Sequence, residues 1–398
     1  MATNVTQMRP RNRVRYLTRI DQLTGIPEKD REELAEVEKK YVFRMTDYYA
    51  SLIDWSDPHD PIRQLVIPRP EELNEWGRLD ASNEKSVTVA RGTQHKYPDT
   101  AVLLCNEVCG AYCRYCFRKR LFMDDNDEVS LDVSEGIEYI RSHPEITNVL
   151  LTGGDPLLMA PKKLLSVIER LREIEHVQIV RIGTKMTAFN PWVILDQPAL
   201  VEGLSRLSTP KKRIYLMNHF DHPRELTGPV LEALDHLIKA GVICTNQCPM
   251  VRGVNDSVEV LTELFRKLSF AGVPPYYIFQ GRPAEGNEPY EVPIARGFRL
   301  FEQARRQVSG LAARARMAMS HEVGKVEILG LDEEHLYMRF HRAKFTADRG
   351  RFMIFKLDEE AYWLDDLIPA SDVGQNVRRH LSKLRCNRVD LHSESPSA

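Results

Sequence analysis

The chain has no apolar run that reaches the roughly 18 residues a membrane span needs. Its N-terminus, Met1 to Tyr16, is rich in arginine but lacks the apolar core of a secretory signal. Both absences point to a cytoplasmic protein without a membrane partner. An excess of either charge is also missing: 55 Lys and Arg against 57 Asp and Glu leave a net charge of -2. No field therefore gathers phosphates or anionic lipids, and nucleic acid is not a default partner. Cysteine is scarce, 7 in 398 residues, an odd number with three of them packed between Cys109 and Cys116. That usage suits metal chemistry in a reducing compartment better than a disulfide framework. The length allows one large core or two modest ones.

What is present is ordered along the chain. The stretch to about Asn83 reads as helical, with alternating charges from Asp30 to Lys40 on a solvated face, until Pro58, Pro61, Pro68 and Pro70 break it into a linker. From residue 100, short aliphatic or β-branched runs recur at Ala101–Cys105, Asn148–Thr152, Val177–Ile182, Arg213–Met217, Val242–Thr245 and Tyr276–Phe279, each followed by helix-compatible sequence. Six βα units in succession predict an α/β fold with a parallel sheet, a partial TIM-like (β/α)6 barrel whose ligands sit at the C-terminal strand ends. Pro161–Glu175 carries Leu164, Ile168 and Leu171 at helical spacing, and Leu231, Leu234 and Ile238 repeat the pattern after Pro229. After Gly310 the texture turns strand-like at Arg314–Ser320, Val326–Leu329 and Leu336–His341, with a turn at Gly330 to Glu334 and a frayed tail at the end. The expected organisation is a helical N-terminal extension (1–90), a core barrel (91–310) and a small β-rich C-terminal part (311–398).

The chemistry is concentrated at the first strand end, where Cys109, Cys113 and Cys116 are spaced C-x3-C-x2-C. Three thiolates on one tight loop can hold three irons of a cubane and leave the fourth open to a ligand. Structural zinc is the bland alternative and would recruit a fourth ligand such as Cys105. After the second strand, Gly153-Gly154-Asp155-Pro156 puts two glycines at the barrel mouth. Main-chain groups there could bond the amino and carboxylate groups of an amino-acid-like cofactor, although the motif alone is only a turn.

In order, the chain carries Arg11-Asn-Arg-Val, Tyr48-Tyr-Ala-Ser-Leu-Ile-Asp, Asp57-Pro-His-Asp-Pro-Ile-Arg, His95-Lys-Tyr-Pro-Asp, Cys116-Phe-Arg-Lys-Arg, Leu151-Thr-Gly-Gly-Asp-Pro, Val180-Arg-Ile-Gly-Thr, Asn218-His-Phe-Asp-His-Pro and Asn246-Gln-Cys-Pro-Met-Val-Arg-Gly-Val-Asn-Asp. With these motifs the sequence resembles the lysine 2,3-aminomutase family of radical S-adenosylmethionine (SAM) enzymes over nearly its whole length. The resemblance implies that a reduced 4Fe–4S cluster splits SAM into methionine and a 5′-deoxyadenosyl radical, which takes a hydrogen from C3 of an amino acid. The amino group, held on pyridoxal phosphate (PLP), then migrates from C2 to C3. Carried over, Cys109, Cys113 and Cys116 hold the cluster, and Gly153, Gly154 and Asp155 stand at the SAM amino group. His219, Asn246 and Gln247 match strand-end positions contacting SAM. Arg118 matches the arginine for the substrate carboxylate, with a solvated Arg-Lys-Arg run as its bland reading, and Lys96 and Tyr97 stand in the PLP-phosphate segment. The resemblance also implies an external electron donor such as flavodoxin or ferredoxin, and a homo-oligomer only by analogy.

Two departures bear on function. Where lysine-selective members place an aspartate, this chain has Arg282, which would repel a lysine head group and accept an acidic or neutral polar one; Arg282 could equally pair with Glu285 or with another carboxylate in the barrel. The PLP lysine follows a glycine run in the family, whereas Gly324-Lys325 is the nearest match here, and a second alignment leaves the anchor missing. The zinc-binding C-terminal cysteines of some relatives are absent, with only Cys386 there and Ser257 at the upstream position, so no zinc is expected. Three readings follow: a PLP-dependent radical SAM isomerase of the aminomutase type acting on an amino acid other than lysine, a PLP-independent radical SAM enzyme acting on another small molecule or a protein side chain, and a non-enzymatic zinc or scaffold protein.

Overall fold

The structure is a computed structural model and describes residues 14–123 and 126–370. Arg11 to Arg13, the tail and Cys386 lie outside the described residues. In the N-terminal part the expected helix is Glu28–Lys40, with acids in its first turn, lysines in its last, and Leu34 and Val37 buried. Around it the chain is more extended than expected. β1 (Tyr16–Leu17) pairs antiparallel with β2 (Met45–Thr46), and a second helix, Pro61–Val66, starts on Asp60, whose carboxylate accepts from Arg63 N at 2.9 Å.

Twelve strands then form one sheet in chain order. β3 (Thr88–Ala90), β4 (Thr93–Tyr97) and β5 (Thr100–Asn106) run antiparallel. Next come β6 (Asn148–Gly153), β7 (Ile179–Thr184), β8 (Arg213–Asn218), β9 (Ile243–Pro249), β10 (Pro275–Phe279) and β11 (Arg316–His321), all parallel from β5 onward. β12 (Gly324–Leu331), β13 (His335–Ala343) and β14 (Phe352–Lys356) close the series antiparallel. The six expected βα units are present, and each crossover carries a helix. The sequence missed β3, β4 and β14, and it did not anticipate that β11 adds a seventh parallel strand to the same sheet.

Alternation on the strands separates two faces. Val149, Leu151, Val180 and Ile182 are fully buried against helices such as Pro161–Arg172, whose Leu164, Ile168 and Leu171 are equally buried. Their neighbours Leu150, Thr152, Arg181 and Gly183 are only half-buried, so the other face lines an accessible lumen. In the helix Gly228–Lys239 the core stripe is Val230, Leu234 and Leu237; Leu231 and Ile238, expected to face the sheet, are 42% and 37% exposed. Both phases fit a helical period, and packing chose the one led by β-branched Val230.

The sheet curls. β4 and β11 lie seven strands apart, about 33 Å if flat at ~4.7 Å per strand, yet Lys96 Nζ on β4 donates to the carbonyl of His321 on β11. Arg342 on β13 likewise pairs with Asp99 beside β5. Contacts of this kind bend the sheet into a partial barrel and bring its far edge over the lumen.

Candidate functional site

The three cysteines occupy the loop leaving β5. Asn106 fixes its start by donating from Nδ2 to Val108 O (2.8 Å) and Asp155 O (2.7 Å). The glycine segment after β6 locks against the same loop, with Gly154 N donating to Asn106 O and Asp155 N to Val108 O at 2.9 Å. A Cβ on Gly154 would lie 2.4 Å from Val108 O, and Gly153 has a φ of +110°. These glycines serve close backbone approach, and the N–H groups of Gly154 and Asp155 are taken by the cysteine loop. Asp155 is similarly occupied: its carboxylate accepts from Thr184 Oγ1 and from the backbone N–H of Leu157, Lys185 and Met186, tying the ends of β6 and β7 together. Burial still pushes its pKa up to about 6.

Cys109, Cys113 and Cys116 are half-buried and free of disulfides. Burial raises all three thiol pKa values, that of Cys113 to about 12, a shift that the positive charge of a bound metal would oppose. A cluster in which each cysteine binds its own iron would suit three thiols on one short loop. Cys105 is unsuited to be a fourth zinc ligand. It is fully buried in the core, and its thiol donates to Thr152 O.

A buried ion network holds the loop from behind. Arg114 forks onto Glu72 (Nη2–Oε2 2.7 Å, Nε–Oε1 3.0 Å), which also receives Tyr290 OH at 2.7 Å and lies 3.4 Å from Lys119. Burial alone would raise the Glu72 pKa, but Arg114 and Lys119 outweigh it and hold the carboxyl below its ordinary range. Its stabilisation is therefore complete above the ordinary carboxylate pKa and is lost as pH falls through the lowered one. Glu72→Gln strands a sealed guanidinium and is expected to cost about 3–5 kcal/mol, read as a lower denaturant midpoint at neutral pH.

The three strand-end residues expected to contact SAM divide. His219, just past β8, is 30% exposed and meets Tyr115 OH, from within the cysteine loop, at 3.1 Å. Gln247 is half-buried on β9 in the lumen. Asn246 is sealed, and its amide is spent on Phe220 N (2.8 Å) and Phe220 O (3.0 Å).

The lumen is cationic. Lys325 lies 4.0 Å from the Tyr277 ring centroid and 4.7 Å from that of Phe279. Burial first, then Arg181, Arg342, Arg282 and Lys96, push its pKa well down. Burial and Arg282 bring Lys96 to about 7. The neighbouring Tyr97 ring lies 5.6 Å from Lys96 Nζ and 4.4 Å from the Arg342 guanidinium. At the mouth, Glu84 receives Arg118 as a fork (Nη2–Oε1 2.8 Å, Nε–Oε2 3.1 Å) and Arg120 Nη2 at 2.9 Å. Arg282 stacks 3.5 Å over the Phe117 ring and comes no nearer than 3.7 Å to Glu84, its buried Nη1 making no hydrogen bond among the described residues. Of the two expected pairings for Arg282, the one with Glu285 is not formed, since Glu285 meets Lys40 at 2.6 Å and Tyr41 OH at 3.2 Å; the carboxylate within ion-pair range is Glu84, at 3.7 Å.

The radical SAM superfamily profile matches residues 104–265. A putative L-lysine 2,3-aminomutase of Aquifex aeolicus is 55% identical over 89% of this chain and 95% of its own length. The L-lysine 2,3-aminomutase of Clostridium subterminale is 37% identical over 75% of this chain and 71% of its own, and the glutamate 2,3-aminomutase of Clostridioides difficile 32% identical over 76% and 70%. The chain belongs to the lysine 2,3-aminomutase family. It is a radical SAM isomerase acting on a small molecule, and its chemistry rests on a 4Fe–4S cluster and SAM. No helix among the described residues is long and apolar enough to cross a membrane.

In this family member the sequence reading overlooked Glu84 and Arg342, and gave no role to Phe117, Arg181, Lys185 or Asp221. Glu84 sits in a stretch read as the end of the helical extension, and nothing local marks it. Asp221 did stand in a quoted motif, and its position two residues past His219 was the available signal.

Proposed function

We propose that the protein is a PLP-dependent 2,3-aminomutase whose substrate is an amino acid other than lysine, with an acidic or neutral polar side chain. The observation that carries the PLP reading is Lys325: an amine facing the lumen, with its pKa pushed well down and two aromatic rings beneath it. A neutral amine is the form that attacks a carbonyl. Lys96 and Tyr97 supply charge and a hydroxyl for a phosphate, while Lys325 holds the ring. Bound PLP would supply delocalisation of an unpaired electron during the amino shift. Cys109, Cys113 and Cys116 hold the cluster in this reading, and Arg118 takes the substrate's carboxylate through the guanidinium nitrogen that Glu84 leaves free. The names of the relatives support an aminomutase with either a basic or an acidic substrate, and Arg282 favours the second. An external one-electron donor of the flavodoxin or ferredoxin type and a cytoplasmic setting complete the proposal.

Anaerobic protein supplied with PLP is expected to show a PLP–lysine absorption band near neutral pH beside the broad iron–sulfur absorption. Lys325→Ala should lose that band and keep the cluster. A wild-type spectrum with cluster absorption alone would replace this reading with the PLP-independent one.

A further inference from the structure

Beneath His219 lies a sealed ionic knot with no part in the activity described so far. Asp221 and Glu225 have fully buried side chains and Lys185 is 5% exposed. Asp221 receives three donors: Lys185 Nζ at 2.5 Å, Tyr115 OH at 2.5 Å and the His219 ring at Nε2, 3.2 Å. Lys185 also bonds Glu225 Oε1 at 2.7 Å and the His219 carbonyl at 2.9 Å, and Tyr49 OH donates to Glu225 at 2.7 Å. Burial would raise the Asp221 pKa, but His219 and Lys185 hold it low. A carboxylate only accepts hydrogen bonds, so Nε2 of His219 must carry a proton. In the neutral ring that makes Nδ1 the acceptor, and Nδ1 has no partner among the described residues.

We propose that Asp221 is a positioning residue for SAM. It fixes the His219 tautomer so that Nδ1 accepts a hydroxyl or N–H of SAM bound at the cluster, and Tyr115 ties the same carboxylate to the loop of Cys113 and Cys116. The inference rests on the reading that His219 touches SAM. It is independent of PLP and of the amino-acid substrate. An asparagine at 221 can turn its NH2 toward the ring and drive the proton to Nδ1, converting the acceptor into a donor, as replacing the aspartate does in a Ser-His-Asp triad.

The test uses reconstituted, cluster-loaded protein, with SAM affinity read from the change in the electron paramagnetic resonance signal of the reduced cluster on titration. Asp221→Asn and His219→Leu are each expected to weaken SAM binding by ~10- to 100-fold with iron and sulfide content unchanged, and the double variant to be no worse than either single one. Additive losses would overturn the proposal, because Asp221 would then not act through His219. A loss in His219→Leu with none in Asp221→Asn sinks the inference but keeps the contact; no loss in His219→Leu sinks the contact as well. If Asp221→Asn fails to take up a cluster, His219→Asn decides, since its amide oxygen can stand near the place of Nδ1. SAM binding close to wild type, set against the loss in His219→Leu, supports the proposal, and a loss equal to that of leucine overturns it.

Discussion

Cys113→Ala is expected to reduce SAM cleavage to background and to leave protein that folds but holds little iron. Two remaining thiolates cannot secure a cubane that must keep one iron free for SAM. The change costs the fold little, because Cys113 is only half-buried at the edge of the core. Iron and sulfide analysis with quantification of 5′-deoxyadenosine checks it. Cys105→Ala is the control: its sulfur lies in the core, so cluster and cleavage should persist. A full cluster in Cys113→Ala, or its loss in Cys105→Ala, would refute the ligand assignment.

The second large effect is expected at Arg282. Two unit charges 4 Å apart interact by about 4 kcal/mol at an effective dielectric constant near 20, roughly a thousandfold in a rate or binding ratio. Arg282→Asp should therefore move the ratio of kcat/KM for L-lysine over L-glutamate toward lysine by about that factor or more, since repulsion is replaced by attraction. The guanidinium is poised for this role, because Phe117 supports its face and Glu84 is too distant to saturate it. Burial brings its pKa down to about 10, so it remains charged at neutral pH. An unchanged ratio would show that Arg282 does not face the substrate's side chain.

The sequence by itself determined the features whose parts lie close along the chain. The cluster loop needs three thiols within eight residues, and each βα unit is written in a short aliphatic run followed by an amphipathic stretch, so both were legible. Most strand ends were displaced by a residue or two and the end of β9 by four, and the helical phase at Leu231 was wrong, since local periodicity does not say which of two adjacent stripes the sheet covers. The tertiary structure decided what depends on the curl of the sheet. That curl brings Lys96 to His321 across 225 residues and Arg342 to Asp99 across 243, and it surrounds Lys325 with cations. Tertiary packing also sets Glu84 upon Arg118, although the extension that carries Glu84 has no motif of its own. A carboxylate's effect falls off within a few ångströms, and only the folded chain fixes which groups come that near.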